Sequence, residues 1–598
     1  GDTSDLRTRV LKEAERLEGS VRNTGIHASA IIIAPLDLTN LLPVAIAKDS
    51  PLWVTQIEGS MIEEAGVIKM DFLGLKTLSI QKTALELIKQ NYDIDIDLDT
   101  IPLDDAKTFE LYQKGETNGT FQFESPGMQK HLRDLKPDKF DDLIAMNALY
   151  RPGPIQYIPK FIKRKHGLEE IVYDIPDMKE YLEDTYGITV YQEQVMLLSQ
   201  SLAGFTKGDA DVLRKAMGKK DRKTLDKMKG QFIEGASAKN HPADILEKVW
   251  TDWESFAQYA FNKSHSTCYA FVAYQTAYLK AHYPSEYMSA VMNHAGSIDK
   301  ITFFMEECKR MGIKVLGPDI NESIKGFSPN KKGEIRFGLG GLKGVGENAI
   351  ENIIEERKLG GDYKDIFDFI KRVNQRSCNK KSIECLVYAG GFDCFTQLHR
   401  AQYFHTPDGE KTSGLEKIIN FGQASSQQSN SMNTLFGDLS TAVNTTPPKI
   451  PACEQWSLTE KLEHEKDVTG MYMSGHPLDH YKFELKYFNI DTLEDFNEIK
   501  LSKTLMASNM NKVFRLAGLV SGAQHRTTKT GKSFGILSVE DFTGKTEIPL
   551  WSDEYMKFKD YLEPGKNILI TGNFKEQNWK PGEYEFKING IRLLETAK

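Results

Sequence analysis

Cysteine is scarce in this chain, with six among 598 residues. None of Cys268, Cys308, Cys378, Cys385, Cys394 and Cys453 forms a CxxC pair, which argues against a zinc ribbon or a thioredoxin-type site. Scattered single cysteines suit a reducing cytosol better than a disulfide framework. Long apolar runs are missing too: no stretch of about 18 apolar residues occurs, so no membrane-spanning helix and no membrane partner is expected. The opening GDTSDLRTRV has no apolar segment of the kind a secretory signal needs. It also lacks a methionine and starts inside a helical pattern, which reads as a piece of a longer protein. Positive charge is not in excess, since the formal net charge is −8. Averaged over the chain this disfavours nucleic acid as a partner, but steering depends on where the charges lie.

The length exceeds one domain, and roughly three to five packed units are expected. Composition is that of an ordinary globular protein, 40% hydrophobic and 27% charged. Residues 1–24 read as the end of a helix. IHASAIIIAP (26–35) and AGVIKMDFL (65–73) read as strands, the second leading into the helix LKTLSIQKTALELIKQ. From about 100 to 300 the pattern is mostly helical, with breaks such as YRPGPIQ. IRFGLGGLKGVGENAIENIIEER (335–357) reads as strand, glycine-rich turn and helix. Residues 423–450 are rich in Ser, Asn, Gln, Thr and Pro and read as a mobile linker, because such a stretch buries too little apolar area to offset its ordering entropy. The end, 513–595, alternates short β-runs with turns at TKTGK, FTGK and EPGK, the pattern of a small barrel or sandwich.

Several segments carry candidate chemistry. In GVIKMDFLGL, strand periodicity puts Lys69 and Asp71 on one face and Ile68, Met70 and Phe72 on the other. A lysine and an aspartate side by side suit a triphosphate and a divalent metal; the alternative is a solvated face or the start of the next helix. Residues 205–231 carry nine Lys or Arg against four Asp, either fixed cations for phosphate or a solvated amphipathic helix. FNKSHSTCYAFVAYQ presents Asn262, Lys263, Ser264 and His265 at a loop-to-helix junction, then Tyr269 and Tyr274, which either stack on a base or belong to the core. Arg151 of YRPGP is a phosphate contact or part of a rigid turn. Gly344 and Gly346 of LKGVGENA let backbone amides approach a phosphate at a helix start. In the terminal β-unit HRTTKTGK, which includes Lys529, is basic, and Phe534, Phe542 and Trp551 face a groove or the core. Within the linker, Leu435 and Phe436 of SMNTLFG form an apolar pair of the kind a docking peptide needs.

KMDFLGLKTLSI resembles the motif bearing the third catalytic aspartate of family C DNA polymerases, the bacterial replicative polymerases. The resemblance continues in order through NGTFQFESPGM, ALYRPGPIQ, TYGITVYQEQVM, DVLRKAMGKK, FNKSHSTCYAFVAYQTAYLKAHYP and GLKGVGENAI. It implies a multi-domain α+β fold: the end of a thumb (1–25), the later part of a nucleotidyltransferase-like palm sheet (26–76), mostly helical fingers (77–330) and a helix-hairpin-helix and clamp-binding region (331–422). The linker with its clamp motif (423–450), a connecting region (451–510) and a C-terminal β-barrel of OB type (511–598) follow. It implies template-directed addition of dNTPs to a primer by two-metal transfer with Mg²⁺, Asp71 binding a metal beside Lys69, and Arg214 and Lys215 holding the triphosphate. Relatives often carry Arg at the position of Lys215. It further implies primed DNA, a sliding clamp bound through Leu435 and Phe436, a proofreading exonuclease and a clamp loader as partners, in the cytoplasm at the nucleoid. The family's first two catalytic aspartates precede the palm strand, so Asp93, Asp95, Asp97 and Asp99 of DIDIDLD, which follow it, are not expected to replace them. The chain alone is therefore expected to lack activity. The alternatives are a DNA- and clamp-binding module and an error-prone relative of the replicative enzyme.

Overall fold

The computed structural model describes residues 5–20, 25–47, 52–219, 221–257, 260–432, 446–527, 533–577 and 580–596. The chain divides into two units, Gly1–Ser79 and Ile80–Lys598. In the first, a helix (Leu6–Leu17) precedes four short strands: β1 (Ala30–Ile33), β2 (Val44–Ile46), β3 (Trp53–Thr55) and β4 (Ile68–Asp71). β1 pairs with β4 and β2 with β3, both antiparallel. The register sets Ile31 opposite Met70 and Ile33 opposite Ile68. All four are exposed. On the other face of β1, Ile32 packs against a small core of Leu42, Ile62 and Val67.

The second unit is helical through about residue 310 and builds two cores there. Tyr274, Phe123, Leu149 and Phe161 centre the first, and Trp250, Trp253, Phe232 and Leu198 the second. A third core, with Phe369, Leu386, Ile350 and Phe337, lies under the glycine-rich hairpin. It includes a small sheet of β5 (Val315–Leu316), β6 (Ser328–Pro329) and β7 (Ile335–Arg336), in the order β5-β7-β6.

The C-terminal module is a five-stranded antiparallel sheet of β8 (Phe514–Thr527), β9 (Ser533–Glu540), β10 (Lys545–Trp551), β11 (Asn567–Glu576) and β12 (Tyr584–Leu593). Its order is β10-β9-β8-β11-β12, and the outer strands β10 and β12 are not paired with each other. The burial of β10 alternates strictly along its length, as a strand with one face on the core requires. Phe496 and Met506, from the stretch read as connecting region, also enter this core.

One boundary differs from expectation. The helix Gly414–Met432 runs into the stretch read as a linker, so 423–432 is helical. Leu415, Ile418 and Phe421 bury its first part, and once a helix is nucleated by packing, each further residue adds a hydrogen bond at low cost. Leu435, Phe436 and Lys529 lie outside the described residues.

Candidate nucleotide and nucleic-acid interface

On β4 the alternation holds. Lys69 Nζ lies 2.9 Å from Asp71 Oδ2, and His27 Nε2 is 3.7 Å from Asp71 Oδ1. The Lys69 hydrogen bond holds the Asp71 carboxyl below the usual range, so Asp71 is ionised and half-exposed at neutral pH. Among the described residues no group of three His, Cys, Asp or Glu side chains gathers to hold a metal. Asp71 supplies one carboxylate, which does not by itself fit a two-metal centre.

In the second unit the basic segment resolves into two helices, Lys207–Lys219 and Arg222–Ser237. Arg214 and Lys215 are both on the first, and both are paired: Arg214 Nη2 lies 2.7 Å from Asp211 Oδ1 and Lys215 Nζ 2.8 Å from Asp211 Oδ2. These contacts, that of Lys215 first, lower the Asp211 carboxyl. Arg214 also lines a narrow cleft with Gln192 and Ala260. The spacing of three and four residues made Asp211 a foreseeable partner.

Asn262 caps the helix Lys263–His282, its side chain accepting from the His265 amide at 2.8 Å. The helix start is not open, however. Glu193 Oε2 accepts from the Lys263 amide and Oε1 from Asn262 Nδ2, both at 2.8 Å. Sequence reasoning missed this carboxylate, because Glu193 is 70 positions away. A bridge between Tyr191 and Phe261 brings the segments together. Ser264 and His265 are exposed, and the His265 ring packs on Tyr269 with centroids 4.3 Å apart. Tyr274 is core: it is fully buried, and its hydroxyl donates to the Pro102 carbonyl and accepts from the Asp105 amide. Stacking on a base is closed to it.

Arg151 lies in the turn before residues 154–157, its guanidinium 3.3 Å from the centroid of Phe261. No carboxylate pairs with it among the described residues, and burial lowers its pKa. A partly desolvated guanidinium with unused donors suits an anion.

The hairpin at 342–346 has the expected form, Gly344 taking φ +87° and Gly346 capping the helix Glu347–Gly360. The two glycines do different work. A Cβ on Gly344 would stand 2.7 Å from Cys385 Sγ, whereas one on Gly346 would meet open space. Gly344 therefore serves packing, and Gly346 leaves the helix start open. In the C-terminal sheet, register sets Arg526 opposite Phe534 and Phe534 opposite Trp551. The last two rings stack with centroids 4.8 Å apart and planes at 19°. Phe542 does not join them: it packs on His476 at 4.8 Å.

Helical body, glycine hairpin and five-stranded sheet make up a modular chain. Residues 312–403 match the helix-hairpin-helix motif and 514–594 the OB-fold nucleic acid binding domain. The chain belongs to the bacterial DNA polymerase III alpha subunit family, matching that subunit's finger domain over 77–240 and its NTPase domain over 2–74. The DNA polymerase III subunit alpha of Aquifex aeolicus is 39% identical over 586 residues, covering 97% of this chain and 47% of the relative. That of Escherichia coli K12 is 38% identical over 589 residues, covering 96% and 49%. That of Chlamydia muridarum is 38% identical over 566 residues, covering 94% and 44%. The chain thus spans about half the length of the curated relatives it matches. Among the described residues, no helix is long and apolar enough to cross a membrane.

Proposed function

We propose that this chain is the part of a replicative DNA polymerase catalytic subunit that grips the incoming dNTP and the primed template. The observation that carries the reading is the corner where Arg151, Arg214 and the helix start at Asn262–His265 are brought near one strand crossing, the Tyr191–Phe261 bridge. Arg214 and Lys215 meet the triphosphate, exchanging Asp211 for phosphate oxygens. Arg151 stacks on Phe261 and turns its free donors to a phosphate. His265 and Tyr269 offer a planar surface beside it. Gly346 opens a helix start to the duplex backbone, and Phe534 with Trp551 provides a platform on which unpaired bases stack.

In the parent enzyme Mg²⁺ would stabilise the attacking and leaving oxygens of the transfer. Asp71, with Lys69 beside it, would be one of its ligands. The carboxylates gathered here do not complete that centre, so no catalytic step is assigned to this chain alone. The alternative reading is a DNA- and clamp-binding module inactive by itself. Docking of Leu435 and Phe436 into a sliding clamp remains part of the proposal: a 428–440 peptide should bind the clamp weakly and lose binding when both are changed to Ala.

The nucleotide grip is tested by titrating the chain with a fluorescent dNTP in Mg²⁺ buffer. Arg214→Ala with Lys215→Ala should weaken binding about tenfold or more, as loss of charge-assisted hydrogen bonds predicts. Unchanged affinity would return this helix to a solvated face.

A further inference from the structure

The short helix Lys482–Tyr487 buries none of its residues. Phe483, Tyr487 and the following Phe488 are 65%, 60% and 45% exposed. They also touch: the Phe483 ring centroid lies 4.9 Å from Tyr487 and 6.3 Å from Phe488. Large apolar side chains exposed singly need no explanation, whereas three in contact form a patch that does.

The patch is held rigidly to the OB-type sheet. Asp491 makes two hydrogen bonds to the Arg515 backbone on β8: its side-chain Oδ2 accepts from the Arg515 amide at 2.9 Å, and its own amide donates to the Arg515 carbonyl at 2.8 Å. Leu485 and Ile490 pack with Ala517 and Leu569 of that sheet. The charges beside the rings are uneven. Lys482 pairs with Asp479 and Lys512 with Asp491. Lys486, 5.3 Å from the Tyr487 centroid, and Arg515, 3.5 Å from the Phe488 carbonyl, have no carboxylate partner among the described residues.

We propose that Phe483, Tyr487 and Phe488 are a stacking site for the bases of single-stranded DNA, with Lys486 and Arg515 meeting its phosphates. Aromatic rings interleaved with unpaired cations are the combination that binds single strands without regard to sequence. A protein interface would instead be depleted of lysine around its apolar centre. The surface is separate from the Phe534–Trp551 platform and extends the same module. The inference rests on the reading that the chain handles DNA, but on neither the fingers nor the platform.

The test uses the full chain and a 5-iododeoxyuridine-substituted oligo(dT). Photocrosslinking with peptide mapping should mark 483–488. In anisotropy titrations, Phe483→Ser with Tyr487→Ser should weaken binding about fivefold or more, the effect of losing a stacked base. Lys486→Ala with Arg515→Ala should make affinity less dependent on salt, since each phosphate contact contributes to the slope. These side chains are exposed, and unchanged melting would show that the variants fold. Parent-like binding by the ring variant, without crosslinks at 483–488, would overturn the proposal. If Phe534→Ala with Trp551→Ala still lost binding in that case, the platform reading would stand. Parent-like DNA binding together with lost self-association in sedimentation would also overturn it, making the patch a protein interface.

Discussion

Glu193 and Lys263 are joined by a hydrogen bond of 2.8 Å from the Lys263 amide to the Glu193 carboxylate, at the positive end of the 20-residue helix Lys263–His282. The contact satisfies an amide that the helix cannot, and it locks the junction that presents Asn262 and His265. Glu193→Ala should cost about 0.5–2 kcal/mol, the usual effect of losing a helix cap. Hydrogen exchange read by mass spectrometry should quicken at Lys263–Thr267 and little elsewhere. Equal protection in the two proteins would show that Asn262 caps the helix unaided.

On the proposed reading, Asp211 competes with the nucleotide for Arg214 and Lys215. Asp211→Asn should free Arg214 and Lys215 and tighten dNTP binding. The sign of the pH effect follows from the depressed Asp211 carboxyl. The ion pairs are fully present above the ordinary carboxylate value and are lost only as pH falls through the lowered one. Between pH 5 and 8 Asp211 should therefore leave dNTP affinity flat, and a rise in affinity as pH drops toward 5 that Asp211→Asn abolishes would contradict the assignment.

A buried ion pair underlies the same body. Lys280 Nζ stands 2.6 Å from Glu307 Oε1, with the carbonyls of Glu116 and Asn118 at 2.7 and 2.8 Å. Burial would raise the Glu307 carboxyl, but Arg310 and Lys280 together hold it at about 2. Stability from this shift is complete above the ordinary carboxylate value of 4.5 and disappears as pH falls toward about 2. Glu307→Gln, which leaves the Lys280 ammonium buried without that charge, should cost about 3–5 kcal/mol in denaturant unfolding at pH 7. The gap between parent and variant should close on acidification, and a constant gap from pH 7 to 3 would refute the linkage.

Features carried by local pattern were legible in the sequence. The pairing of Lys69 with Asp71 follows from strand alternation, and Gly344 and Gly346 follow from turn chemistry. The module order came from the family motifs. Long-range partners were not legible. Glu193 at the helix start and Phe261 beneath Arg151 depend on a bridge between segments 70 residues apart, which no periodicity records. Composition misled at 423–432, where polar residues extend a helix begun by the buried Leu415 and Phe421. The aromatic rings at 483–488 gave no signal, because strings of Phe, Tyr and Lys read equally as core or surface until their exposure is known.

On the proposed reading this chain grips primed DNA and nucleotide without completing the metal centre. One sample of the purified chain, mixed with a labelled primer–template, dNTPs and Mg²⁺, tests both halves. Anisotropy should report binding that weakens steeply as salt rises, the mark of phosphate contacts, while a gel of the same sample shows no primer extension over hours. Steady incorporation of nucleotides, or binding indifferent to salt, would contradict the account.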